Sequence, residues 1–313
     1  MFKKICYLLI IIPLFFSCKK DSPAQTQETT VPVNHGRYVV FDADEAFNEG
    51  LSLSPSPFTS IYYTNLSGGG LTRVTGPDNG YYSYRPSWAP DGKSILFIRG
   101  NQTDTYRSIC SINIDGTNFK SLVQGNKVDF ASYTYDGRKL VYAKSFVGTP
   151  PYQADLYTAD TSGANEQKIT SFAADNGSVS NIHCSSDGRI YFYGYSQHLS
   201  PGVYSVMPDG SDLKFALYDV DFLGISPDGK YILYDLYTGL YICNSDGTHS
   251  RTVIAFNNNI PNMLVGAAWS PDDSEIYLSN ADYPTNFGLY SVTALGYGLQ
   301  QFSGGYYEFP QVF

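Results

Sequence analysis

Histidine and cysteine are scarce in this chain of 313 residues, four and five respectively. Cys6 and Cys18 belong to the first 18 residues, so Cys110, Cys184 and Cys243 remain for the folded part. No two of them form a Cys-x-x-Cys pair and each falls in a different repeat, which indicates neither a zinc site nor a disulfide framework. They are expected to be small, buried and apolar. Charge is also sparse, at 16% of residues, with 20 Lys and Arg against 29 Asp and Glu for a net charge of −9. Phosphate backbones demand a basic stripe, and none is visible, so nucleic acid is excluded as a partner. No Gly-x-Ser-x-Gly elbow occurs, which removes the usual serine-hydrolase arrangement. The one long apolar run, Tyr7 to Phe16, is too short to span a bilayer comfortably.

That run opens the chain and is not part of the fold. Lys3 and Lys4 precede it and Phe15-Phe16-Ser17-Cys18 ends it, an order of charge, apolar stretch and small residue that marks an export signal over residues 1–17. A small residue directly before Cys18 resembles the lipobox of bacterial lipoproteins, although aromatic residues at the two preceding places depart from the commoner pattern. The resemblance implies that the Cys18 thiol carries a diacylglycerol, and two or three acyl chains anchor stably. Residues 18–36 are polar, contain Pro and Thr and lack apolar periodicity, as a flexible tether does. Lys19 and Lys20 after the cysteine resemble the outer-membrane class of lipoprotein, with either leaflet open. The expectation is an exported, lipid-anchored protein that meets the membrane through its lipid alone.

What is abundant is a repeat. Trp88-Ala-Pro-Asp-Gly-Lys93, Tyr133-Thr-Tyr-Asp-Gly-Arg138, Cys184-Ser-Ser-Asp-Gly-Arg189, Ile225-Ser-Pro-Asp-Gly-Lys230 and Trp269-Ser-Pro-Asp-Asp-Ser274 share one turn between β-like runs. Their turn aspartates, at 91, 136, 187, 228 and 272, are spaced by 45, 51, 41 and 44 residues, the period of four-stranded propeller blades. A second turn recurs inside each repeat, as Ile114-Asp-Gly-Thr117, Thr161-Ser-Gly-Ala164, Pro208-Asp-Gly-Ser211 and Ser245-Asp-Gly-Thr248. Asp-Gly suits tight hairpins because both residues tolerate positive φ. Two such turns per repeat predict four antiparallel strands.

Five full repeats and one split repeat predict an all-β, six-bladed propeller over residues 37–313. Residues 37–75 supply three strands of the first blade. Glu308-Phe-Pro-Gln-Val-Phe313 matches Tyr84-Arg-Pro-Ser-Trp-Ala89 in the placement of Pro, and so supplies the missing first strand. This C-terminal strand closes the ring and removes a free sheet edge.

These repeats resemble the TolB-type six-bladed β-propeller, whose blades carry a Ser-Pro-Asp-Gly-Lys motif and a later Asp-Gly turn. The resemblance covers roughly residues 37–313 and implies the fold. TolB has an α/β domain before its propeller where this chain has only the tether, so a role in the Tol-Pal system is not implied. Peptidases with a similar propeller carry a catalytic α/β half that is not found here. Oligogalacturonate lyases have a TolB-like propeller and a histidine-rich metal site. This chain has His35, His183, His198 and His249, of which only His183 sits on a strand pointing near a channel. A metal lyase is therefore not expected.

Both Asp-Gly turns of a blade lie on one face, and the variable loops lie on the other. Those loops carry Tyr106, Phe146, Tyr152, Tyr195, His198, Tyr237, Tyr283 and Phe287, and loops on a rigid scaffold are where binding residues concentrate. Seven residues before the turn aspartates stand Tyr84, Asp129, Ser180, Asp221 and Val265, with Glu308 at the equivalent place. Acids on alternate blades, Asp129, Asp221 and Glu308, predict a ring at the channel mouth able to attract a calcium ion, another cation or a basic side chain. No other cofactor is expected. The candidate binding residues are thus Asp129, Asp221, Glu308, Tyr84 and His183, and no catalytic residue is assigned. The reading is a non-catalytic, monomeric module that binds an envelope protein or peptide through its loop face and channel mouth. The alternative is a carbohydrate-binding or polysaccharide-processing protein, a hydrolase or lyase, with tyrosine rings as the platform.

Overall fold

The computed structural model describes residues 38–44, 59–66, 69–76, 80–101, 103, 106–125, 127–145, 153–256, 264–282, 286–305 and 307–313. The leader, Cys18 and the tether lie outside the described residues. Among these, the chain forms six sheets of four antiparallel strands, with one short 3-10 turn at Ala173–Asp175. It is a six-bladed β-propeller. Among the described residues, no helix is long and apolar enough to cross a membrane.

Each blade begins with an inner strand. These are Tyr307–Val312 for blade one, Tyr81–Trp88 for two, Val128–Tyr133 for three, Ser178–Cys184 for four, Asp221–Ile225 for five and Leu264–Trp269 for six. Blade one is the split blade. Its inner strand pairs antiparallel with Tyr38–Ala43, placing Val39 opposite Val312 and Asp42 opposite Glu308. The Phe313 amide extends the pairing by donating to the Tyr38 carbonyl at 3.2 Å. Trp88 of blade two joins the closure, its Nε1 donating to the Gln311 carbonyl at 3.2 Å while its ring lies 5.6 Å from that of Phe313.

The repeated motif has a repeated job. Each first-turn aspartate accepts the backbone N–H two residues on: Asp91 from Lys93, Asp136 from Arg138, Asp187 from Arg189, Asp228 from Lys230 and Asp272 from Ser274. The hydroxyl two residues before, where there is one, donates to the same carboxylate: Thr134, Ser185, Ser226 and Ser270 do so at 2.6–2.8 Å. These side-chain bonds mimic a backbone turn and fix its shape without help from the core. The second turns add a contact between blades. A Cβ on Gly247, whose φ is +82°, would stand 2.0 Å from the Ala216 carbonyl of the preceding blade, so both backbone angle and space require glycine there.

Packing follows from the alternation. Strand side chains point to opposite sheet faces, and in a ring both faces of a blade are covered by neighbours. The buried apolar residues accordingly form six clusters, one at each blade-to-blade interface, including that between blades six and one, where Tyr277 and Leu289 meet Val39, Phe41 and Tyr307. Cys110 and Cys243 are buried and Cys184 is half-buried, all three as free thiols. Every inner strand also shifts register midway along its second-strand partner, a β-bulge repeated six times.

Candidate functional site: the axial channel

The bulges decide what faces the axis. At equivalent places in four blades, Arg85, Phe130, Asn181 and Phe309 adopt φ of +51°, +47°, +48° and +48°. This left-handed region is unfavourable for bulky residues. Arg85 and Phe309 each precede a proline, which disfavours compact conformations still further. Strain of this kind persists only where the surroundings over-determine it, and it collects at functional sites.

Inside the ring lies a cavity of about 410 Å³ to which all six inner strands contribute. Its lining runs from Arg85, Phe130 and Phe309 at the bulges to Pro90, Pro227 and Pro271 of the first turns. The cavity therefore occupies the half of the channel on the side of the Asp-Gly turns. It meets solvent there, beside Pro90 and Tyr135, both exposed.

Of the five predicted binding residues, His183 alone lines this cavity. Its ring stands edge-on to Phe222 at 5.4 Å, and burial pushes its pKa down to about 4, so it is neutral at neutral pH. Tyr84 is half-buried with its hydroxyl lacking a hydrogen-bond partner.

Each of the three acids has its own surroundings. Asp129 is bridged by two arginines, one oxygen taking Arg85 Nη1 and the other Arg107 Nη1 at 2.5 Å. Asp221 sits opposite Asp235 in the strand register. Burial, then the charge and hydrogen bond of Asp221, push the Asp235 carboxyl up to about 7. Glu308 lies opposite Asp42, which is wholly buried. Burial first, and the charge of Glu308 second, hold Asp42 well above the usual carboxylate range. Asp42 Oδ1 accepts the Arg85 amide at 3.1 Å, and its Oδ2 has no hydrogen-bond partner. Among the described residues, no three His, Cys, Asp or Glu side chains are grouped so as to hold a metal ion.

Arg85 is the residue that the motif reading missed. Its guanidinium lies 3.7 Å from the centre of the Phe130 ring, with Phe309 at 5.2 Å and Tyr84 at 5.6 Å. It thus stands at the inner end of the cavity between blades one, two and three. The signal was present as Arg85-Pro86 and Phe309-Pro310 at matching places, since proline within a strand accompanies a bulge.

The loop face has a different character. Tyr195, Tyr218 and Tyr237 are exposed, Tyr237 almost completely at 99%. In the loop from Gly194 to Gly202, Ser196 and His198 both bind Asp175, at 2.5 Å each. The serine and histidine are spent on one carboxylate and hold the loop in shape, with no nucleophile–base contact between them. Phe146, Tyr152 and Tyr283 lie outside the described residues.

No family model matches this chain, and no curated protein matches it in sequence. Solved structures do match in shape. A putative TolB from Agrobacterium tumefaciens aligns with a TM-score of 0.58 at 12% identity, covering 88% of this chain and 91% of that one. An oligogalacturonate lyase in complex with manganese aligns with a TM-score of 0.55 at 12% identity, covering 79% and 71%. A chain of the nidogen/laminin complex aligns with a TM-score of 0.62 at 9% identity, covering 88% and 98%. At such identities the likeness shows the fold, a TolB-like propeller, and nothing of what the fold does here.

Proposed function

We propose that this protein is a non-catalytic binding module of the bacterial envelope, tethered through a lipid on Cys18, that receives a protein or peptide in its axial channel. The observation that carries this reading is the cavity itself. Its volume lies in the range of ligand sites, and its lining, among the described residues, holds no Asp or Glu that would stand as an acid or base opposite His183. General acid–base work needs a group aimed at the reacting atom. Selection of displayed peptides on the immobilised propeller tests the reading. Binders are expected that lose affinity when Ser87→Phe fills the channel in a protein with unchanged circular dichroism. Binders indifferent to that substitution would move the site elsewhere. Cys18→Ser is expected to shift the protein from the membrane fraction to the soluble one.

A second reading rests on the exposed Tyr195, Tyr218 and Tyr237. Ring faces are good surfaces for sugars, and a glycan array that is answered by the protein and silenced by Tyr237→Ala would favour carbohydrate capture at the loop face.

A further inference from the structure

We infer that the channel takes a ligand with a single carboxylate on an apolar body, seated carboxylate-first against Arg85. This rests on the reading of the cavity as the binding site and names its ligand chemistry.

The lining has one permanently charged member, Arg85. A guanidinium carries five N–H donors in a planar fork. Asp129 takes Nη1, whereas Nε is shielded from solvent without a partner and Nη2 makes no hydrogen bond. The Nε and Nη2 hydrogens point in parallel from one edge, the geometry that receives both oxygens of a carboxylate. A donor left unmade in a shielded place is costly, and a ligand that supplies its acceptor recovers that cost. Arg85 holds a left-handed φ of +51°, unfavourable both for its side chain and before Pro86, at a place where it lines the cavity.

The remaining wall discriminates. Asn181 donates to the Phe222 carbonyl, Ser132 to the Tyr133 carbonyl and Thr134 to Asp136, so these polar groups are spent on the protein. Between Arg85 and the mouth stand Trp88, Ile182, Ile225, Trp269, Val312 and Phe313, a mostly apolar sleeve for the body of the ligand in which the Trp269 Nε1 is one further donor without a partner. At mid-depth, Ser87, His183 and Gln311 make no side-chain hydrogen bond within the protein and would meet one amide group of a ligand. A dianion is disfavoured, because one guanidinium already shared with Asp129, on a residue whose amide binds Asp42, leaves too little positive charge. A cation is disfavoured by Arg85 itself. The shared chemistry, a carboxylate beside an apolar group, fits either the C-terminus of a peptide ending in an apolar residue or a free small acid.

The chain has two tryptophans, and both Trp88 and Trp269 line the cavity, so their emission reports on it. The probe is p-nitrohydrocinnamate, which quenches tryptophan at short range, compared with its amide on the unaltered protein. The acid is expected to quench at concentrations about tenfold or more below the amide. Arg85→Met is expected to abolish that preference, and Asp221→Asn to leave it intact. Acetyl-Ala-Ala-Phe with a free carboxyl end is expected to displace the probe, its amidated form and galacturonate are not. Displacement by the peptide at lower concentration than by hydrocinnamate assigns the peptide source; parity assigns a free acid. Equal quenching by acid and amide would overturn the carboxylate while leaving the binding reading in place. Equal displacement by galacturonate would overturn the apolar body. Quenching by neither probe would overturn the inference, and the binding reading falls only if selected peptides also fail. Should Arg85→Met not fold, the acid–amide comparison on the unaltered protein decides alone.

Discussion

The ring of Phe313 occupies the place where a Cβ on Gly92 would stand, 2.1 Å from its nearest carbon. The first turn of blade two and the closing strand of blade one are thus fitted against each other. Gly92 also has φ of +62°, so Gly92→Ala is expected to lose about 1–3 kcal/mol of stability through overpacking and backbone strain. In a Phe313→Ala background the same substitution should cost less. Urea unfolding of the four-member cycle measures the difference, and equal costs in both backgrounds would disprove the contact.

Asp129 holds two arginines, and its side chain is only 19% exposed. Asp129→Asn removes the charge from two charge-assisted hydrogen bonds and leaves Arg85 and Arg107 facing each other. The expected loss is about 1.5–3 kcal/mol, read by chemical denaturation. A stability unchanged by the substitution would mean that the pair is not formed in solution.

The carboxyl pair of blade five sets a pH dependence. Asp235 is raised to about 7 from an ordinary value of 3.8, so the folded state holds a proton that the unfolded chain has already released. Its contribution is present in full below the unfolded value and is lost as pH rises through about 7. Stability should therefore fall with rising pH across that window, and Asp235→Asn should flatten the fall. An identical slope in both proteins would rule the pair out as its source.

His183 acts in the opposite sense. Its folded value of about 4 lies below the ordinary 6.5, so the unfolded chain binds the extra proton and stability is lost as pH falls from 6.5 towards 4. His183→Gln should retain stability on acidification relative to the unaltered protein. Because Asp235 and His183 oppose each other over part of this range, each effect is read as a difference from its own variant.

The architecture was legible because it is written in local chemistry. Asp-Gly turns and their partner hydroxyls depend on neighbours two residues away, and Pro310 stands in the closing strand as Pro86 stands in blade two. The site was legible only in part. Counting back seven residues from each turn aspartate assumes regular strands, but the bulge in each inner strand intervenes between the count and the axis. The acids so found are real, yet their behaviour is set by Asp42, Asp235 and Arg107, which reach them from other strands. Such pairings depend on register across strands, and spacing along the chain does not encode them. His183 lies beyond the bulge, close to its turn, and lines the cavity.

Closure of the ring by Tyr307–Val312 has a consequence for biogenesis. Until those residues have been synthesised and brought back to Tyr38–Ala43, blade one has a bare hydrogen-bonding edge, and the apolar faces of its two flanking interfaces lack a partner strand. Pairing segments so far apart makes folding slow, and an uncovered edge invites foreign strands. The maturing polypeptide thus passes through a stage in which it needs shelter from its own copies, and any shortened version that ends before Tyr307 stays in that stage permanently.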